Sequence, residues 1–164
     1  MKDNKYNFMV NLLIITLDVL IVFGSIACIA VIGITLSKAI MEINSFKFKA
    51  NSLLFFAGTS MLIFILYSLR RILKSVIKEG PFNRNNVKSL KNISYSCFFI
   101  TICYLINFFY NNQYKSFSVI NIDSSGIHTD TEFLIFFFAG CLILILAQVY
   151  KQAVEVKEEN DYTV

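Results

Sequence analysis

Two polar side chains interrupt apolar parts of the sequence, and they are the residues most suited to chemistry. Asp18 is the only acidic residue inside the four longest apolar runs, and Asn107 lies in the third run. A carboxylate near the centre of a transmembrane helix costs about 2.5 to 3.5 kcal/mol, so it should face protein or water, where it could bind an ion or relay a proton. The structural alternative is that Asp18 lies near the headgroups or pairs with Arg70 or Arg71. Both interpretations remain open at this point.

The other reactive side chains do not form the pattern of an enzyme or a metal site. His128 is the only histidine, and its acidic neighbours Asp123, Asp130 and Glu132 lack a spacing that selects a metal. There is no phosphate loop, glycine-rich dinucleotide turn or H-E-x-x-H motif. We therefore predict no enzymatic activity, no catalytic residue, no cofactor and no bound metal. The cysteines all lie in apolar runs without a C-x-x-C pair, and we interpret them as packing residues: Cys28, Cys97, Cys103 and Cys141.

Four apolar runs define the elements that position these residues. They cover residues 12–36, 53–69, 93–110 and 133–149 and are 25, 17, 18 and 17 residues long. A transmembrane helix needs about 20 apolar residues, so each run predicts one such helix. We predict an all-α, four-helix transmembrane bundle that forms a single integral membrane domain over residues 1–164. The predicted transmembrane helices cover about 10–36, 52–79, 84–110 and 132–156.

The third predicted helix is the most polar of the four. Its polar residues include Ser94, Thr101 and Asn107. Polar groups in hydrocarbon need hydrogen-bond partners, so this helix should be the one most enclosed by protein. Interhelical hydrogen bonds and a solute pathway would both meet this need.

Lysine and arginine cluster at the ends of the apolar runs and predict the orientation. With a cytoplasmic N-terminus, eleven of the fifteen basic residues lie on the cytoplasmic side and four on the outer side. Basic residues favour the cytoplasmic side, so both termini of this multi-pass protein are predicted to be cytoplasmic. The net charge of +4 is explained by this distribution, and we predict no direct binding of nucleic acid.

A basic segment, residues 70–91, joins the second and third helices and contains the only proline of the chain, Pro81. Gly80 and Pro81 end the incoming helix. Asn83 can cap the next helix, and Phe82 can pack on Val87 as a hydrophobic staple. The segment therefore predicts a cytoplasmic helical hairpin.

The connections on the outer side are less regular. Residues 37–51 fit either a short amphipathic segment or a solvated loop. Between the third and fourth helices, residues 111–132 favour a small extracellular β-hairpin around Asp123 to Gly126. On the cytoplasmic side the fourth helix should continue for a turn or two, and its acidic end could attract the basic hairpin.

Two motifs resemble domain-of-unknown-function family 2975, small bacterial four-helix membrane proteins. One is Glu79-Gly80-Pro81-Phe82-Asn83 followed by Asn86-Val87, Leu90 and Ile93, and the other is the ending Glu158 to Val164. Asn83 stands where relatives often have threonine, and both types cap helices; Tyr162 stands where leucine is usual. The resemblance implies a bacterial inner-membrane protein without an established activity, of a kind often encoded beside small helix-turn-helix regulators. The candidate interaction or structural motif is Gly80, Pro81, Phe82, Asn83, Asn86, Glu159 and Asp161.

The leading functional hypothesis is a non-enzymatic regulatory or interaction protein that acts through the hairpin and the C-terminal tail. Its expected partners are the lipid bilayer and a cytoplasmic protein, for example a helix-turn-helix regulator. One alternative is the pathway through Asp18 and the third helix. Another is immunity against membrane-active peptides through the outer segment 117–128. Small residues around Gly24 and Cys28 suit close helix packing, either within the bundle or in a homo-oligomer.

Overall fold

The computed structural model describes residues 2–40, 46–112, 121–123, 126–128 and 131–162. Within this part of the chain, four helices and one pair of short strands follow each other in sequence. The helices are α1 (Lys2–Ile40), α2 (Phe46–Glu79), α3 (Arg84–Tyr110) and α4 (Glu132–Tyr162), and the strands are β1 (Asn121–Asp123) and β2 (Gly126–His128).

The four helices are each long and apolar enough to cross a membrane. This confirms the prediction of an all-α protein with four helices of transmembrane length and composition. Three of the helices continue past the predicted spans: α1 at both ends, α2 at its start and α4 at its end. The added segments contain lysine, glutamate and alanine, which favour helix. The charged side chains among them are hydrated where a helix emerges from hydrocarbon.

The helices form an open row in the order of the sequence. Close backbone contacts join α1 to α2, α2 to α3 and α3 to α4, and none joins α1 to α4 within the described residues. As a result α1 packs mainly on α2 and exposes most of its apolar surface. Phe23 and Ile29, for example, are 71% and 68% exposed. Such a surface is suited to hydrocarbon rather than to water.

Helix α3 lies at the centre of the core, as its polarity predicted. Its buried residues include small polar side chains, which form hydrogen bonds with backbone carbonyls. The Ser94 hydroxyl donates to the Gly140 carbonyl of α4 at 2.8 Å, and the Ser96 hydroxyl donates to the Asn92 carbonyl of its own helix at 2.9 Å. Hydrogen bonds between and within helices therefore satisfy these buried hydroxyls.

The contact between α3 and α4 depends on residues that recur every seven positions. Gly140, Ala147 and Val154 on α4 are all buried, and so are Val87, Ser94 and Thr101 on α3. A seven-residue repeat keeps one stripe of each helix facing its neighbour. The fit is tight at Gly140, where an added Cβ would lie 3.0 Å from Phe98 Cε1.

Two small residues of α1, Gly24 and Cys28, face its neighbour, α2. An added Cβ at Gly24 would lie 3.5 Å from Ile63 Cγ1, and Cys28 is 8% exposed. Gly24 and Cys28 therefore make contacts within the bundle.

Strands β1 and β2 pair antiparallel, with Ile122 opposite Ile127. They lie in the segment where a β-hairpin was predicted. Residues 113–120, 124–125 and 129–130 of that segment are outside the described residues, as is the centre of the α1–α2 connection at 41–45. The remaining ends of this connection, 37–40 and 46–51, belong to α1 and α2 instead of a separate loop or amphipathic segment.

Candidate functional site

The turn between α2 and α3 is built by four residues, 80–83. Gly80 has φ +81°, a conformation that residues with a Cβ rarely adopt. Asn83 caps α3, since its side-chain oxygen accepts a hydrogen bond from the Asn86 backbone N–H at 2.9 Å. Its Nδ2 donates to the Ser75 hydroxyl on α2 at 2.6 Å. The predicted cap is therefore present, and it also ties the turn to the incoming helix.

The Pro81 carbonyl organises the turn, because it accepts hydrogen bonds from three donors. The Asn83 backbone N–H donates at 3.2 Å and the Asn86 Nδ2 atom at 2.9 Å. The third donor is the hydroxyl of Tyr150, on α4. Asn86 is only 1% exposed, so its amide is a fixed part of this arrangement. The turn is thus held from α3 and from α4 at once.

Two further contacts join the turn to the end of α4. The Phe82 ring stacks on the Tyr150 ring, with centroids 5.5 Å apart and planes inclined by 28°. The Arg84 Nε and Nη2 atoms donate to the two Glu158 carboxylate oxygens at 2.9 and 2.6 Å. A two-point arginine–carboxylate contact fixes orientation as well as distance. We call residues 80–86 together with Tyr150 and the end of α4, 158–161, the hairpin–tail surface.

The structure therefore brings most of the predicted motif together. Glu159 and Asp161 lie on the same final turns of α4 as Glu158 and are exposed. Sequence reasoning identified the attraction of the acidic tail for the basic hairpin. It did not identify Tyr150, the aromatic residue of α4 that stacks on Phe82 of the hairpin. That residue follows directly after the fourth apolar run, and only the side-by-side packing of α3 and α4 places it against Phe82.

Asp18, the candidate site in α1, is engaged in an ion pair. Arg70 Nη2 of α2 donates to Asp18 Oδ2 at 3.0 Å, and Arg70 Nε lies against Asp18 Oδ1. Of the two arginines that the sequence offered as partners, Arg70 is the one used. The pair neutralises the one acidic side chain that lies inside an apolar run.

Asn107, the other candidate, belongs to a cluster of side-chain amides between α2 and the end of α3. Asn111 Nδ2 donates to Asn107 Oδ1 at 2.8 Å, and the Asn51 and Asn111 amides exchange hydrogen bonds at 3.2 Å. A cavity of about 540 Å³ adjoins this cluster and is lined mainly by apolar residues of α2 and α3, with Val31 of α1 and Phe136 of α4.

Asp18 and Asn107 do not share one site. Asp18 pairs with Arg70 of α2, and Asn107 is linked through Asn111 to Asn51 of α2. Arg70 and Asn51 are 19 residues apart, which corresponds to about 28 Å along a helix. Asp18 therefore lies towards the hairpin end of the bundle and Asn107 towards the opposite end. A pathway that used both residues would have to extend over about 28 Å of the bundle.

Comparisons with known proteins identify the family of this chain. Neither the search of curated proteins nor the search of solved structures found a match to this chain. A protein-family model described as protein of unknown function (DUF2975) matches residues 5–164, which is essentially the whole chain. With four helices that can span a membrane and a family match over nearly its full length, this multi-pass membrane protein belongs to the DUF2975 family.

Proposed function

We propose that this protein is a non-enzymatic interaction protein of the bacterial inner membrane, and that its hairpin–tail surface binds a cytoplasmic regulatory protein. The observation that carries the proposal is the joining of two distant segments, residues 80–86 and the end of α4, into one surface. Ordering a surface before binding lowers the entropy that the complex must lose.

The charge of this surface suggests the class of partner. Glu158, Glu159 and Asp161 place three carboxylates on the last turns of α4, of which that of Glu158 is paired with Arg84. A helix C-terminus adds partial negative charge. DNA-binding regulators carry basic surfaces, so the end of α4 is complementary to them. A small helix-turn-helix regulator held at the membrane through this surface is the partner we propose.

The proposal requires the hairpin and both termini to be cytoplasmic. The distribution of basic residues, eleven against four, supports this orientation. We predict that green fluorescent protein fused after Val164 fluoresces, whereas alkaline phosphatase fused at the same position is inactive. For fusions after Asn112, which follows the end of α3, alkaline phosphatase should be active and green fluorescent protein should not fluoresce. Active phosphatase after Val164 would place the hairpin–tail surface outside and contradict the proposed partner.

Photo-crosslinking in living cells tests the partner itself. A photoreactive residue at Asn85 or Asp161, both exposed, should crosslink the same cytoplasmic protein. A matched probe at Phe23, which is exposed on α1, should not. Arg84→Glu should lower the yield about two- to fivefold, the effect expected from an exposed ion pair worth roughly 0.5 to 1 kcal/mol. Combining it with Glu158→Arg should restore the yield, since the two charges are then exchanged.

The crosslinking result discriminates between the hypotheses. The interaction hypothesis fails if the probes at Asn85 and Asp161 crosslink only proteins that the probe at Phe23 also crosslinks. The immunity alternative uses outer residues 117–128, half of which lie outside the described residues. It would instead require that deletion of this segment sensitises cells to a membrane-active peptide.

A further inference from the structure

A basic groove lies between α3 and α4, on the membrane side of the hairpin–tail surface. Its volume is about 270 Å³, and it is lined by basic side chains over the buried apolar residues Val87 and Val154. The basic residues are Arg84, Lys88 and Lys91 of α3 and Lys151 of α4, and one acidic residue, Glu155, also lines the groove. We propose that this groove binds the phosphate of an anionic phospholipid.

The cations of the groove differ in how far they are already neutralised. Arg84 is paired with Glu158, and Lys151 Nζ lies 3.4 Å from Glu155 Oε1. Lys88 and Lys91 make no ion pair with another residue of the described chain. They are three positions apart and therefore lie on one face of α3. The groove thus offers two unneutralised ammonium groups on α3, opposite the Lys151 ammonium group of α4.

The depth of these lysines matches the phospholipid headgroups. Lys91 and Lys88 precede Ile93, the first residue of the third apolar run, by two and five residues, or about 3 and 7 Å along the helix. Lys151 follows the end of the fourth run by two residues. The headgroup region extends about 5 to 7 Å beyond the hydrocarbon on each side, so all three lysines lie within it or at its edge.

The same face of α3 continues as an apolar stripe, which favours a lipid over free phosphate. Counting from Lys91, helical spacing places Tyr95, Phe99 and Ile102 on this face, and they are 59%, 41% and 53% exposed. A phosphate bound to the lysines would therefore have its acyl chains alongside exposed apolar side chains. Basic pockets between transmembrane helices recognise anionic lipid headgroups by this arrangement.

Lipid binding by the groove requires only that the bundle lies in a membrane and does not depend on a protein partner. Its test uses the purified full-length protein in a neutral detergent and measures retained lipid by native mass spectrometry. The probes are phosphatidylglycerol, phosphatidylcholine and soluble glycerol phosphate. A triple variant carries Lys88→Gln, Lys91→Gln and Lys151→Gln. The matched control carries Lys74→Gln, Lys78→Gln and Lys157→Gln, which removes the same charge from exposed positions outside the groove.

We expect the protein and the control variant to retain phosphatidylglycerol in preference to phosphatidylcholine. The groove variant should bind phosphatidylglycerol at least about tenfold more weakly, because three cations at headgroup depth are lost. If the groove variant and the control variant lost the same amount of phosphatidylglycerol binding, general surface charge would explain the binding, and the proposal would be overturned. It would also be overturned by the absence of a preference between the two lipids, or by equally tight binding of glycerol phosphate. If the triple variant does not fold, single Lys88→Gln and Lys91→Gln variants provide the same comparison with Lys74→Gln.

Discussion

Replacing Gly140 with leucine is expected to destabilise the protein strongly, because α4 lies directly against α3 at this residue. An added Cβ alone would lie 3.0 and 3.1 Å from two atoms of the Phe98 ring and 3.3 Å from Cys97 Cβ. The Ser94 hydroxyl also binds the Gly140 carbonyl, so the helices cannot separate locally without breaking that bond. Overpacking of this kind typically costs about 1 to 3 kcal/mol, and the size of leucine places Gly140→Leu at or above the upper end of that range.

The measurement is the free energy of unfolding in mixed micelles, followed by circular dichroism during titration with sodium dodecyl sulfate. Gly33→Leu is the matched control, because nothing lies within 4 Å of a Cβ added at Gly33. Gly140→Ala should have a smaller effect, and combining it with Phe98→Leu should recover most of the loss. Equal stability of the Gly140→Leu and Gly33→Leu variants would contradict the close α3–α4 approach.

Removing the positive charge of Arg70 is expected to have a smaller but still large effect on stability. In an Arg70→Gln variant the Asp18 carboxylate loses the partner that donates to it at 3.0 Å. An unpaired carboxylate at membrane depth costs about 2.5 to 3.5 kcal/mol, so we expect a loss of stability of about 2 to 3 kcal/mol. The pair is partly exposed, with 29% of the Arg70 side chain and 41% of the Asp18 side chain accessible, which places the effect below that of Gly140→Leu.

The double variant Asp18→Asn, Arg70→Gln distinguishes a lost ion pair from lost packing. Removing both charges of a pair is much less costly than removing one, so the double variant should be more stable than Arg70→Gln alone. Arg71→Gln, at the exposed neighbouring position, should change stability by less than about 0.5 kcal/mol. If Arg70→Gln behaved like Arg71→Gln, Asp18 would not depend on this partner, and an ion or proton site at Asp18 would become the better explanation.

Local sequence patterns predicted the elements because their causes are local. The break at Gly80-Pro81 and the cap at Asn83 depend on backbone conformations and hydrogen bonds within a few residues, and the structure contains both. The central place of α3 was also predictable, since buried hydroxyls such as that of Ser94 need partners. The extent of α1 was harder to predict, because hydropathy marks where a helix meets hydrocarbon and not where it ends.

Partners across the bundle could not be predicted in the same way. Nothing in the sequence near Tyr150 indicates that its hydroxyl binds the Pro81 carbonyl, 69 residues away. Arg70 and Arg71 were equivalent as partners of Asp18 until the rotation of α2 against α1 selected one. The sequence allowed Asp18 and Asn107 to belong to one pathway, but the residues of α2 to which they are connected, Arg70 and Asn51, are 19 residues apart.

By itself, the sequence determined four membrane-spanning helices, the stop and restart between α2 and α3, and an uneven distribution of charge. These follow from hydrophobicity, backbone preference and net charge, which are properties of single residues and short segments. Only the tertiary structure decided that the turn, Tyr150 and the acidic end of α4 form one surface, and that three lysines of α3 and α4 line one groove. The reason is that such contacts depend on the rotation and stagger of packed helices, which side chains from several helices set together.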